Sequence, residues 1–279
     1  MRHVWSLPKP SPRWFLQTGD RLMSPLYWWY EQQLIRTILK ENRLPQHLGI
    51  ILDGNRRFAR SLGLETRRGH DLGAYKAYEV LEWCLSLGIP HVTIWVFSSD
   101  NKSRHPEEVH QLLQLFAREA RQMLRDDRIH KNQVRIKMIG QIDDFPEDVR
   151  ESLLALEAAT AHYGGLLLNV AVGYGGREEI AQAVRNLLKE KSKEKNITLD
   201  ELSEDLSVAD IDAHMYTAGL PDPDFVIRTS GEIRLSGFLL WQSAYSEYYF
   251  CDAYWPSFRR VDFLRAIRSF QNRKRRFGR

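Results

Sequence analysis

Apolar residues in this chain gather into short continuous runs, separated by longer segments with helical spacing. Runs at 48–53, 91–98, 133–140, 165–174 and 224–230 have the length and character of buried strands, and 246–251 is a weaker one. Between them, apolar positions recur at three- and four-residue intervals near 71–87, 107–125, 147–162, 177–194 and 207–215, and again at 260–275. Strands alternating with helices predict an α/β fold: a mostly parallel central sheet of about six strands, flanked by helices, in a single domain. Ligands of such sheets sit at the carboxyl ends of the strands. On strand 91–98, strict alternation puts Ile94 and Val96 on one face and Trp95 and Phe97 on the other. There is no internal repeat, and the charge run at 189–196 reads as the end of a solvated helix.

Residues 25–40 also read as a helix, with Leu26, Trp29, Leu34, Ile35 and Ile38 at near-helical spacing. Residues 1–43 are therefore an N-terminal extension carrying an amphipathic helix, ahead of a main domain at 44–279. Two readings of this helix stand. Trp28, Trp29 and Tyr30 suit a membrane interface and imply peripheral membrane contact. Glu31 and Glu41 dilute a basic membrane face and favour packing against the main domain or a dimer partner.

Composition narrows the class. Hydrophobic content of 43% and charged content of 27% are those of a soluble globular protein. A net charge of +4 is too small for the length to indicate a nucleic-acid partner, although the tail from Asn272 is locally basic. No apolar run has the length of a membrane span, and Pro8, Pro10 and Pro12 stand where a signal peptide needs an apolar core, so a cytoplasmic protein is expected. Cys84 and Cys251 sit among apolar residues as reduced thiols, without metal-site spacing.

The chemistry gathers where strands end. The run from Leu48 stops at the carboxylate of Asp53, and Gly54 and Asn55 then make a sharp turn. Arg56, Arg57 and Arg60 follow on a helix start. A carboxylate there can hold Mg²⁺, while turn N–H groups and guanidiniums can hold phosphate oxygens. Strand 91–98 releases Ser98, Ser99, Asp100, Asn101 and Arg104 together, a set suited to diphosphate. A third stretch delivers Arg228 to a Thr-Ser-Gly turn, with Arg234, Leu235 and Ser236 close behind and Glu247 further on.

These three stretches resemble the signatures of the cis-prenyltransferase family, the Z-isoprenyl diphosphate synthases, and the likeness runs from about residue 44 to the C-terminus. The block from Asp222 to Glu247 looks closest to the short-chain, Z-farnesyl branch. The resemblance implies an Mg²⁺-dependent homodimer that condenses isopentenyl diphosphate with an allylic diphosphate to form a new cis double bond. It implies that Asp53 and Glu247 are the metal carboxylates. Asp53 and Asn101 would be catalytic, Asn101 taking part in removal of the proton. Gly54, Asn55, Arg56, Arg57 and Phe58 would hold the allylic substrate, with His70 on its diphosphate. Arg228, Arg234 and Ser236 would hold isopentenyl diphosphate. Ser98, Ser99, Asp100, Arg104 and Leu235 belong to the same signatures. Arg276 and Gly278 match a terminal Arg-x-Gly motif that crosses to the partner's site.

The chain departs from the family at three places. Asp100 replaces the usual Glu, Ile233 the frequent His, and Thr66 an arginine for which Arg67 or Arg68 could substitute. Val96 fills a position that is a small alanine in long-chain synthases, which implies a short- to medium-chain product. The alternatives are a long-chain decaprenyl or undecaprenyl synthase, a non-catalytic partner subunit, and a phosphate-ligand binding module.

Two look-alikes are set aside. Asp143-Asp144-Phe-Pro-Glu147 resembles the metal motif of trans-prenyltransferases but occurs once, and Asp144 reads better as a helix N-cap. Gly173-Tyr-Gly-Gly-Arg177 reads as a tight turn beside the site. The histidines lack paired zinc spacing.

Overall fold

The structure is a computed structural model that describes residues 24–41, 43–193 and 198–273. Six strands form one sheet: β1 (His47–Ile51), β2 (His91–Ser98), β3 (Arg135–Ile139), β4 (Leu167–Tyr174), β5 (Phe225–Arg228) and β6 (Glu247–Phe250). Their order across the sheet is β3-β4-β2-β1-β5-β6, and every neighbouring pair is parallel. The helices are α1 (Ser24–Glu41), α2 (Asn55–Ser61), α3 (Thr66–Leu87), α4 (Pro106–Met123), α5 (Asp127–Lys131), α6 (Glu147–Thr160), α7 (Gly176–Lys191), α8 (Leu199–Asp205), α9 (Val208–Asp212) and α10 (Arg260–Asn272).

The expected alternation is present, and the sheet is wholly parallel. Strands buried on both faces read as continuous apolar runs, which is why β1 and β5 were legible. One face carries the larger core: Leu48 and Ile50 of β1 and Phe225 and Ile227 of β5 pack with residues of α3, α4, α6 and α10. The other face holds a smaller cluster of Ile51, Trp95, Tyr174, Val226, Phe238 and Leu239.

Four expectations need correction. β2 does not alternate strictly. Its register with β4 shifts at Val96 and shifts back at Gly173, so each strand carries one extra residue. Trp95 stacks on Phe238, whereas Phe97 turns to the larger core and meets the rings of Phe116 and Phe145. Asp144 is not an N-cap: α6 starts after Pro146 without a side-chain cap, and Asp144 pairs with Lys102 at 2.7 Å. Helices α5 and α8, too short to show a period, were not foreseen. The thiols are free as expected, but only Cys84 is fully buried.

Helix α1 packs on the main domain. Ile38 is fully buried, Gln271 of α10 donates to the Ile38 carbonyl at 2.9 Å, and Glu41 pairs with Arg268. Burial raises the Glu31 carboxyl, against the charges of Arg260 and Arg259 at the start of α10. Trp28 and Trp29 remain exposed, at 64% and 54%.

Candidate active site

Three strand ends build the site. β1 delivers Asp53, β2 delivers the segment from Ser98, and β5 delivers Arg228, Thr229 and Ser230. Parallel registry places Ile51 opposite Arg228, so the residues just past these strands meet above the sheet. Thr229 Oγ fastens the two turns: it accepts the Asp53 N–H at 3.0 Å and donates to the Asp53 carbonyl at 2.7 Å.

The Asp53 carboxylate lies between two guanidiniums. Arg228 donates to one oxygen at 2.8 Å and Arg57 to the other at 3.0 Å. Burial alone would raise this carboxyl, but hydrogen bonds from Arg228 and Ser230 and the charges of Arg228 and Arg57 hold it below its ordinary value. Asp53 is therefore ionised at neutral pH. Arg57 also reaches Ser230 Oγ and Glu232, both at 2.7 Å.

Gly54 makes the turn with φ +107, and a Cβ there would fall 2.8 Å from the Tyr254 ring. Asn55 then opens α2 and leans on Gly73 of α3, where a Cβ would lie 2.3 Å from the Asn55 side-chain oxygen. At the end of β2, Ser98 and Asn101 cap each other reciprocally, each backbone N–H donating to the other's side chain at 3.2 Å. That fixes the direction of the Asn101 amide.

The resulting polar cleft has a volume of about 500 Å³. Six arginines line it (Arg56, Arg57, Arg60, Arg104, Arg228 and Arg234) against two carboxylates, Asp53 and Asp100. Gly54, Asn55, His70, Ser98, Asn101 and Ser236 complete the predicted set that faces it. Among the described residues, two buried polar atoms on its walls lack hydrogen-bond partners, Asn55 Oδ1 and Arg228 Nε, and His70 Nε2 has only the Glu108 carboxylate at 3.5 Å. Buried polar groups are normally satisfied, so a polar ligand belongs here. His70 is held below its ordinary pKa by burial, against the opposing charge of Glu108.

Beside the cleft runs an apolar tunnel of about 110 Å³ between the sheet and helices α3, α4 and α6. Leu52, Asn55, His70, Val96 and Leu112 line both cavities and form the junction.

Several predicted residues lie elsewhere. Phe58 is buried and lines neither cavity. Ser99 sits against Gly175, and Leu235 packs with the smaller core. Glu247 is the clearest departure. It begins β6, in register with Phe225, so it stands at the amino end of the sheet. Its carboxylate takes a hydrogen bond from Arg273 at 2.7 Å. Asp53 lies beyond the opposite end, so the two carboxylates of one chain do not share a metal shell. Arg67 lines a separate surface cleft, and neither it nor Arg68 faces the polar site, where Arg60 stands instead. Arg276 and Gly278 lie outside the described residues.

Sequence reading missed Glu108. It faces two guanidiniums and an imidazole: Arg104 at 3.1 Å, Arg56 at 3.6 Å and His70 at 3.5 Å. Its only signals were its place in the first turn of α4, where acids are common, and its spacing of four residues from Arg104.

A carboxylate above a parallel sheet, faced by arginines and opening on an apolar tunnel, defines a site for an amphiphile with an anionic head. A family described as "Putative undecaprenyl diphosphate synthase" matches residues 51–278. An isoprenyl transferase of Deinococcus radiodurans is 60% identical over 253 residues, 91% of this chain and 92% of that one. The (2Z,6E)-farnesyl diphosphate synthase of Thermobifida fusca is 49% identical, covering 92% of this chain and 98% of its own. The crystal structure of lavandulyl diphosphate synthase from Lavandula x intermedia, in complex with dimethylallyl diphosphate, superposes with a TM-score of 0.78 at 32% identity, over 85% of this chain and 99% of that one. The chain belongs to the cis-prenyltransferase family. It is an enzyme that transfers prenyl groups in the cis configuration.

Proposed function

We propose that Asp53 and the arginine cleft bind the diphosphates of an allylic primer and of isopentenyl diphosphate, and that the tunnel takes the primer's hydrocarbon tail. The continuity of the two cavities at Val96 and His70 supports this reading above all. The primer's C1 then lies at the junction. The C–O bond to its diphosphate breaks as the terminal carbon of isopentenyl diphosphate bonds to C1. A proton leaves C2 of the adduct, and diphosphate departs.

Charge builds on the leaving diphosphate, and fixed donors answer it without reorganising. Arg56, Arg57, Arg60 and His70 face the primer's diphosphate. Arg228, Arg234 and Ser236 face that of isopentenyl diphosphate, and Ser98 holds the Asn101 amide toward the departing proton. Mg²⁺ fits Asp53: the carboxylate is kept ionised and faces the cleft, and this cation is commonly held by one or two carboxylates together with substrate phosphates. Bound there, it would neutralise diphosphate charge.

The active unit we propose is a cytoplasmic homodimer, with residues 44–279 as the catalytic domain and the terminal Arg276 and Gly278 serving the partner's site. Among the described residues no helix is long and apolar enough to cross a membrane. Peripheral contact through α1 is supported by its outward face. Glu31 is half-buried and the exposed Glu41 is paired with Arg268 of α10, while Trp28, Trp29, Arg36, Leu39 and Lys40 are exposed. The half-buried Val96 at the junction supports a short- to medium-chain product. Labelled isopentenyl diphosphate, offered with several allylic primers and followed by chain-length analysis, tests the whole reading. Absence of incorporation with every primer would overturn it.

A further inference from the structure

The tunnel wall is apolar along α3 and α4, through Ala74, Ala77, Leu115 and Phe116, until it reaches Tyr78 and Glu119. Tyr78 follows His70 by eight residues on α3, and Glu119 follows Leu112 by seven on α4. At ~1.5 Å per residue the pair stands roughly 10–12 Å beyond the junction with the cleft. The Tyr78 hydroxyl donates to the Glu119 carboxylate at 3.2 Å. One residue earlier on α4, Arg118 pairs with Asp71 of α3 at 2.7 Å. That pair lies on the surface, outside the tunnel lining, so two polar links tie the helices together, one in the tunnel wall and one outside it.

The tunnel volume of about 110 Å³ is well below the ~300–1,000 Å³ usual for a ligand site, so its walls must yield as a chain grows. Methylene groups gain nothing from a phenol bonded to a carboxylate. Prising the two apart leaves a mostly buried hydroxyl without its partner, and orphaned buried polar groups are costly. Burial and the neighbouring Glu119 charge both push the Tyr78 phenol upward, so it remains a donor throughout the physiological pH range.

We infer that the Tyr78–Glu119 pair is a chain-length stop, a latch between α3 and α4 that the growing hydrocarbon must break to extend further. This inference rests on the proposed placement of the prenyl tail in the tunnel. It concerns positions that the sequence signatures do not include. Val96 acts at the mouth of the tunnel, and the latch acts beyond it.

The test uses the full-length protein with one allylic primer and excess labelled isopentenyl diphosphate, resolving products by length. Tyr78→Phe keeps the ring and removes the donor, and Glu119→Ala removes the acceptor. Each should shift the main product upward by at least one isoprene unit. The double variant should match the single ones, because each breaks the same bond. If Glu119→Ala fails to fold, Tyr78→Phe still decides the matter. A lower yield with an unmoved length distribution means a purely structural pair and overturns the stop. A wild-type protein that incorporates no isopentenyl diphosphate overturns the prenyl reading beneath it.

Discussion

Asp53 lies just past β1 and Arg228 ends the adjacent parallel β5, and the Arg228 guanidinium donates to the Asp53 carboxylate at 2.8 Å. The arginine side chain is 5% exposed, so Asp53 is also its buried counter-charge. A residue proposed to hold a cation therefore already stabilises a charge that the fold has taken out of water. Substituting it affects stability as well as turnover.

For that reason Asp53→Asn is a cleaner probe than Asp53→Ala. Both should reduce kcat by about 10²–10³ or more, the scale set by losing one well-placed electrostatic group. Asp53→Ala should also lower Tm, because Arg228 is left buried without its partner. Near-normal kcat in Asp53→Asn would remove Asp53 from the mechanism.

Val96 lines both the cleft and the tunnel. Val96→Ala widens that junction by two methyl groups, in an interior where such volume matters. Chain-length analysis should show longer products than wild type. An undecaprenyl-length main product from the wild type would defeat the short-chain argument whatever the variant does.

Deleting residues 276–279 should lower activity strongly with little change in Tm, since terminal residues rarely carry core packing. Mixing this deletion with Asp53→Ala protein should restore turnover. In the mixed dimer one site has an intact Asp53 and receives the intact partner tail. Subunit exchange without recovery would exclude action across the dimer.

The exposed face of α1 predicts binding to anionic vesicles. Co-sedimentation should be strong with anionic lipid and weak with zwitterionic lipid, and combining Trp28→Ser with Trp29→Ser should weaken it about tenfold or more. Equal recovery of wild type and variant would remove the membrane role.

His47 predicts acid sensitivity away from the site. It is fully buried, with its two ring nitrogens 2.7 Å from the Pro221 carbonyl and from Thr93 Oγ. A carbonyl can only accept, so Nδ1 carries the proton and Nε2 accepts from Thr93. Burial lowers its pKa from 6.5 to about 4. Between those values the unfolded chain binds more protons than the folded one, so stability is complete above pH 6.5 and falls toward pH 4. The loss amounts to roughly 3 kcal/mol. Urea unfolding of His47→Gln across this range should show a flatter pH dependence.

The sequence by itself determined the parallel α/β fold, the strand ends at Asp53, Ser98 and Arg228, and the family. Periodicity reports burial, and a parallel sheet brings its carboxyl ends to one side, so residues just past those strands must meet. Only the tertiary structure decided the rest. Glu247 opens β6, as the run at 246–251 implied, but only the parallel pairing of β6 with β5 set that strand start at the far end of the sheet from Asp53. The paired bulges at Val96 and Gly173 turned Phe97 into the larger core, because register is settled between strands and not within one. Glu108 gained Arg56 and His70, and Tyr78 gained Glu119, from packing between helices distant in sequence, which no local pattern encodes. Helix α1 buried Ile38 and paired Glu41 with Arg268 for the same reason, since a helix chooses its buried face by the partner it meets.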